Sequence, residues 1–273
     1  MEPLYIIVLL LTGIGTGFAS GMLGVGGCFI MVPIQYWILS IMGIDPKTAT
    51  LVAFGTSLAV AFPTAMNGAL GHYHRGVVVK RAAILLGLSG TIGAFLGGTM
   101  ASRTPDELLR ISFGLMIFAA ALKMTTETAE PRKKQTEKTL PFLLLGLPVG
   151  FICGLVGIGG GIIMVPAMTA YLGFRIHQAI GTSTAAIMFT SLGGTLSYVV
   201  NGLGAPNLPA HSLGYVNLIQ WVLLAGTSIP MARVGVWAAH RLPAKGLKWV
   251  FITLMIYASL KMMGIFNLLD PPS

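Results

Sequence analysis

Two strings in this chain have the residue types to hold an anion without offering it a charge. "GMLGVGGCFIMVP" runs from Gly21 to Pro33 and "GLVGIGGGIIMVP" from Gly154 to Pro166. Glycine at this density leaves helical geometry easily. Each string runs into an apolar stretch that begins near Cys28 or Gly161. A helix starting there has first-turn N–H groups with no partner inside the helix. Those groups carry a partial positive charge and are ready-made anion ligands. The spacing points to Gly26, Gly27 and Cys28, and to Gly159, Gly160 and Gly161, as backbone donors to one small anion. Pro33 and Pro166 follow within each stretch, where each removes a further intrahelical bond and favours a bend.

A second pair of strings adds hydroxyls. "GTS" occurs as Gly55, Thr56 and Ser57 and again as Gly181, Thr182 and Ser183. A lone Ser or Thr in an apolar helix bonds its own backbone more often than a ligand. Duplication in both halves of the chain is what brings these residues into the candidate site.

Other chemistries lack their residues. "GVGGCF" has no Lys-Ser/Thr pair for a P-loop, and "GIGGGI" has no acidic residue about twenty positions on, as a dinucleotide fingerprint needs. No HExxH or GxSxG string occurs. The 8 acidic residues all lie at chain ends or between apolar stretches, which argues against a carboxylate-based proton or cation pump. Two cysteines, Cys28 and Cys153, make neither a metal cluster nor a disulfide framework. Buried cysteine commonly serves as a small apolar residue, although both flank the glycine strings. Arg233 is the one cation well inside an apolar stretch; it either attracts an anion and gates a mouth, or snorkels to the surface. Gln35 and Asn67 are buried polar candidates, and His72 and His74 sit at the end of a stretch. No cofactor or metal is expected.

The elements that must position these residues are apolar and long. Of 273 residues, 55% are hydrophobic and 9% charged, against about 25% charged in soluble domains. Ten apolar segments follow one another: 4–20, 28–42, 48–71, 77–101 and 107–123, then 140–156, 161–173, 179–201, 214–239 and 246–267. This is the pattern of an all-α polytopic membrane protein. The first segment has no basic stretch before it and reads as a retained span. The net charge of +9 reads as membrane topology and not as nucleic-acid binding.

The two halves repeat. A shift of 133 aligns Gly17–Pro33 with Gly150–Pro166, and ten of those seventeen positions are identical. A shift of 126 superposes the two GTS strings. A shift of 138 pairs Arg103 and Pro105 with Arg241 and Pro243. The expected organisation is a repeat at 1–124, a charged linker at 125–139 and a second repeat at 140–273. If segments alternate sides ten times, 13 Lys and Arg fall on one side and 4 on the other. Counting each glycine-linked pair as one crossing gives 9 against 8, which the positive-inside rule disfavours. Five segments per half make the repeats inverted, a plan that puts a transport site between them near mid-membrane. The linker is then cytoplasmic, and both termini lie outside the cytoplasm of a cell (inner) membrane. The first two segments of each half are short for full spans and suggest re-entrant hairpins or broken helices.

Two glycine strings running into Pro, each followed by a GTS helix, resemble the TauE/SafE family of membrane permeases, the sulfite exporter family. "GLVGIGGGIIMVP" with "AIGTSTAAIMFTSLGG" is the stronger copy; the first departs from it at Cys28. The resemblance implies transport of a small sulfur-containing anion such as sulfite, sulfoacetate or another organosulfonate. The residues alone point to a secondary transporter for a small anion in a lipid bilayer, with a non-sulfur anion, an anion channel and an intramembrane enzyme as alternatives. Oligomeric state is not legible.

Overall fold

The computed structural model describes residues 3–126, 138–241 and 244–264. Each of the ten apolar segments forms one helix. The first half gives α1 (Pro3–Leu23), α2 (Cys28–Ile41), α3 (Pro46–Tyr73), α4 (Lys80–Arg103) and α5 (Asp106–Thr126). The second gives α6 (Thr139–Val156), α7 (Gly161–Leu172), α8 (Ile176–Gly202), α9 (Leu218–Ala239) and α10 (Ala244–Met262). Before α9, a two-residue antiparallel hairpin joins β1 (Ser212–Leu213) to β2 (Val216–Asn217). Residues 127–137 of the expected linker, and the end of the tenth segment, lie outside the described residues.

Seven of the helices are long and apolar enough to cross a bilayer, and the chain is an all-α polytopic membrane protein. Ile84, Leu88, Ile92, Leu96 and Met100 form one exposed stripe along α4, the kind of face that lipid covers. By contrast α2 has 14 residues and α7 has 12. At 1.5 Å per residue they reach about 21 and 18 Å, against a hydrocarbon core of about 30 Å.

Partners are exchanged between the halves. α9 runs parallel to α1 and α3 of the first half, while α4 runs parallel to α6 and α8 of the second. Two rows of glycine make the closest of these seams. A Cβ on Gly13, Gly17 or Gly21 would strike the α9 backbone at Leu224, Ser228 or Ala232. One on Gly146, Gly150 or Gly154 would strike α4 at Leu86, Gly90 or Ala94. The four-residue glycine spacing is therefore a packing device, as small residues are between membrane helices.

α3 and α8 run antiparallel through the centre, with Gly55 against Tyr198 near one end and Gly68 against Thr184 toward the other. Hydrogen bonds tie each trio. Thr64 and Ser228 share one of 2.7 Å, and Trp221 Nε1 donates to the Ala59 carbonyl at 3.0 Å. Across the molecule Thr91 donates to the Phe189 carbonyl at 3.0 Å. Taking Gly21 level with Ala232, α1 stops roughly five residues, about 8 Å, short of the end of α9. Taking Gly154 level with Ala94, α6 stops roughly seven residues, about 10 Å, short of the end of α4. Both glycine strings are therefore buried within the bundle, reached from opposite ends.

Candidate functional site

The two strings adopt the same backbone. Gly24, Gly26 and Gly27 have φ of 67, 80 and 72°; Gly157, Gly159 and Gly160 have 68, 67 and 98°. A Cβ makes that left-handed region costly, and three such residues in four end a helix. α2 and α7 start immediately after, with Gly27 and Gly160 as N-caps that offer no side chain. Among the described residues, the N–H groups of Gly26, Gly27, Gly161 and Ile162 donate to no backbone carbonyl.

The strings cross. The Cβ position of Gly26 lies 3.9 Å from the Gly159 Cα, and a Cβ on Gly161 would overlap the Gly24 carbonyl oxygen. Ile187 of α8 touches the Cβ positions of both Gly26 and Gly159, and Ala61 of α3 that of Gly159. Ala61 and Ile187 lie near the middle of their helices and match under the 126 shift. The crossing therefore sits at mid-depth. Cys28 Sγ lies 3.3 Å from the Cβ position of Gly159, and Cys153 Sγ lies 3.0 Å from that of Gly160. The two thiols flank one dipeptide. Thr190 donates to the Gly159 carbonyl at 3.4 Å.

The GTS strings divide their labour, and the division was not visible in the sequence. Thr56 Oγ1 accepts from the Asn217 N–H at 2.9 Å, and Thr182 Oγ1 from the Val79 N–H at 3.0 Å. Asn217 and Val79 are the N-caps of α9 and α4. Gly55 packs on the Tyr215 carbonyl and Gly181 on Val77, the segments leading to those caps. Gly55, Thr56, Gly181 and Thr182 thus dock the other half's connections. The serines face the crossing. Ser57 Oγ accepts from Gln35 Nε2 at 2.7 Å, and its carbonyl accepts from Cys28 Sγ at 3.7 Å. Ser183 donates to the Gly24 carbonyl at 3.3 Å and to the Ile180 carbonyl at 3.0 Å.

Arg233 stands apart from the crossing. It is exposed, and its Nε donates to Asn67 Oδ1 at 2.9 Å. That placement favours snorkelling, with the guanidinium tying α9 to α3. Among the described residues no Lys, Arg, Asp or Glu is buried. The same residues contain no group of three metal-ligating side chains. What the crossing can offer a guest is backbone N–H, hydroxyl, carboxamide and thiol.

The profile of the family described as "Sulfite exporter TauE/SafE" matches residues 9–262. The chain belongs to that family. It is 30% identical over 259 residues to a probable membrane transporter protein of Haemophilus influenzae, covering 94% of this chain and 98% of the relative. A probable membrane transporter protein of Methanocaldococcus jannaschii is 27% identical over 264 residues, covering 96% and 95%. The probable membrane transporter MamO of Paramagnetospirillum magneticum aligns with 94% of this chain but only 44% of its own length. No solved structure matches. Membership makes this chain a multi-pass membrane transporter of the TauE/SafE family and not an enzyme.

Sequence reasoning passed over one buried group and left the role of another open. Gln220, in the first turn of α9, is fully buried, and neither end of its carboxamide has a partner among the described residues. Gln35 was visible as a buried polar residue, but its Oε1 is also unpartnered and its Nε2 holds Ser57. Neither has a repeat counterpart of its own type, which is the signal the duplication argument used.

Proposed function

We propose that the chain is a secondary transporter for a small sulfur-containing anion, such as sulfite or sulfoacetate, bound where the two glycine strings cross. The observation that carries this reading is the pair of helix starts meeting at mid-depth with unpaired N–H groups. In a medium of low dielectric those donors stabilise an anion far more than in water. A site built from dipoles also releases its guest more readily than one built on a buried lysine or arginine. The sulfur comes from the family's description as sulfite exporters. The exchanged packing of α4 and α9 supports two inverted repeats, and the 13-to-4 charge split supports a cytoplasmic linker in a cell (inner) membrane with both termini outside.

Purified protein in lipid vesicles tests this directly. Radiolabelled sulfite and sulfoacetate should accumulate saturably, with acetate as the non-sulfur comparison. Ser57→Ala should weaken uptake while the protein stays folded. Absence of flux for both sulfur anions overturns the reading. Electrical flux well above about 10⁴ ions per second replaces it with a channel, since rigid-body exposure steps take microseconds to milliseconds.

A further inference from the structure

At the end of the bundle away from the linker, α2, the 209–217 segment and the start of α9 line a partly open cavity of about 260 Å³. Its wall is two-sided. Leu39, Met42 and Ile219 are apolar; His211, Asn217 and Gln220 are polar. Gln220 is the deepest of the polar three, at 0% exposure, with its carboxamide just behind the cavity surface. A buried carboxamide with neither donor nor acceptor paired costs roughly 1–3 kcal/mol for each unmet group. That cost recurs in native proteins where a guest meets the group. His211 is one of two non-glycine residues with positive φ among those described, at 60°. Its carbonyl accepts from the Leu218 N–H, so the strained residue is fastened to the first turn of α9.

A polar path leads inward from this wall. Leu39 lines the cavity and lies one turn beyond Gln35 on α2, so Gln35 stands one turn deeper in the bundle than the cavity wall. Gln35 holds Ser57, and the Ser57 carbonyl holds Cys28, which lies against Gly159 at the crossing. Thr56, next to Ser57, anchors Asn217 and with it the start of α9. The Ser57 hydroxyl pairs with either end of a carboxamide. A half-turn of Gln35 therefore presents Nε2 inward with no hydrogen bond lost.

The other half has no such path. The counterparts of Gln35, Leu39 and Gln220 are Met168, Leu172 and Ala82, and all three are buried in one apolar cluster with Phe142 and Phe174. The fold is duplicated here and the polarity is not. Thr56 and Ser57 recur as Thr182 and Ser183, but the two carboxamides are not repeated. Gln220 is unpaired at both ends and Gln35 at Oε1, a cost that packing does not explain.

We propose that this cavity is a second, outer subsite for a small organic anion, in which Gln220 meets the oxyanion head and the Leu39–Met42 wall takes a short carbon stem, and from which Gln35 passes the anion inward. The inference rests on the transport reading above. A sulfonate or carboxylate of two carbons fits the volume and the two-sided wall.

Vesicle uptake of sulfoacetate tests it with Gln220→Met, which removes the carboxamide and keeps its volume. The variant should raise KM about tenfold and leave the maximal rate within about twofold; Gln220→Asn should recover part of the loss. KM within twofold of wild type in a folded Met variant overturns the proposal while leaving the transport reading intact. Structure determination of the wild-type protein with 2-bromoethanesulfonate decides independently of any variant. Bromine density in the cavity beside Gln220 supports the subsite, even if vesicle uptake fails and the transport reading falls. Bromine density only at the glycine crossing, or nowhere, overturns it.

Discussion

The two glycine strings share a backbone and differ in how closely they are approached. At Gly161 the Gly24 carbonyl takes the place of a side chain, whereas at the matching position the first string carries Cys28 with its thiol turned toward Gly159. The hydrogen bonds that hold the preceding helices are paired in the same way. His72 Nε2 meets the Gly21 carbonyl at 2.9 Å, and Tyr198 OH donates to the Gly154 carbonyl at 2.9 Å. Position for position the geometry repeats, and the chemistry does not. Duplication supplies two crossing breaks; divergence makes the approaches to them unlike. A carrier that exposes one site to two solutions needs the first property, and the second lets the two mouths differ.

The sharpest test of the comparison is Gly161→Ala. Its methyl would land on the Gly24 carbonyl and the Val25 Cα, both backbone atoms that cannot swing away. Overpacking of this kind costs about 3 kcal/mol or more when backbone must move. The expected result is a large fall in melting temperature in detergent and loss of folded yield. Cys28→Ala, at the equivalent position, should be tolerated. Equal damage at both positions would show that the strings are equivalent after all.

Much of this was legible before any coordinates. Ten apolar segments became ten helices because their ends carry glycine, proline or charge. The expected starts at 77 and 214 moved to Lys80 and Leu218. Val79 and Asn217 are caps held by threonines from the other half, a contact 103 or 161 residues distant in the chain. The duplicated strings identified the crossing, since a repeated helix break inside apolar sequence has few other uses. The split within each GTS was hidden, because successive residues on a helix face different partners and sequence does not say which. Gln220 was hidden because the repeat places Ala82 opposite it.

Next in size are the two threonine docks. Thr56→Val and Thr182→Val keep the shape and remove the acceptor for a cap N–H. Asn217 is 3% exposed, so its stranded N–H costs about 1–3 kcal/mol. Val79 is half-buried and can turn to water. Thermal melts should therefore rank Thr56→Val as the more damaging. The reverse order would mean that the α4 junction is the tighter of the two.

A smaller effect separates the two ends by pH. At the end nearest the linker, the His240 ring lies 5.9 Å from that of His72 and 5.2 Å from that of His177. Partial burial, then the Arg75 guanidinium and His177, hold His240 below the usual imidazole range. The folded state thus favours neutral His240. The stability this gives is present above about pH 6.5 and is lost as pH falls through that value. Tyr198, at the matching place to His72, lends the other end no such sensitivity near neutrality. The melting temperature should be flat from pH 8 to 7 and decline toward pH 5, and His240→Gln should flatten the decline. A slope unchanged by that variant would show that His240 does not carry the pH sensitivity.

The smallest expected change comes from making the strings alike. Cys28→Gly gives the first string the run of three glycines that the second has. It removes a buried thiol and places glycine in the first turn of α2, together about 1 kcal/mol. The thiol's bonds, 3.6 Å to the Gly26 carbonyl and 3.7 Å to that of Ser57, are weak ones. A folded protein with slightly lowered melting temperature and sulfite uptake within about twofold of wild type is the expected outcome. Uptake lost from a folded Cys28→Gly protein would mean that the thiol itself touches the moving anion. The difference between the strings would then lie at the binding site, and not only in the approaches to it.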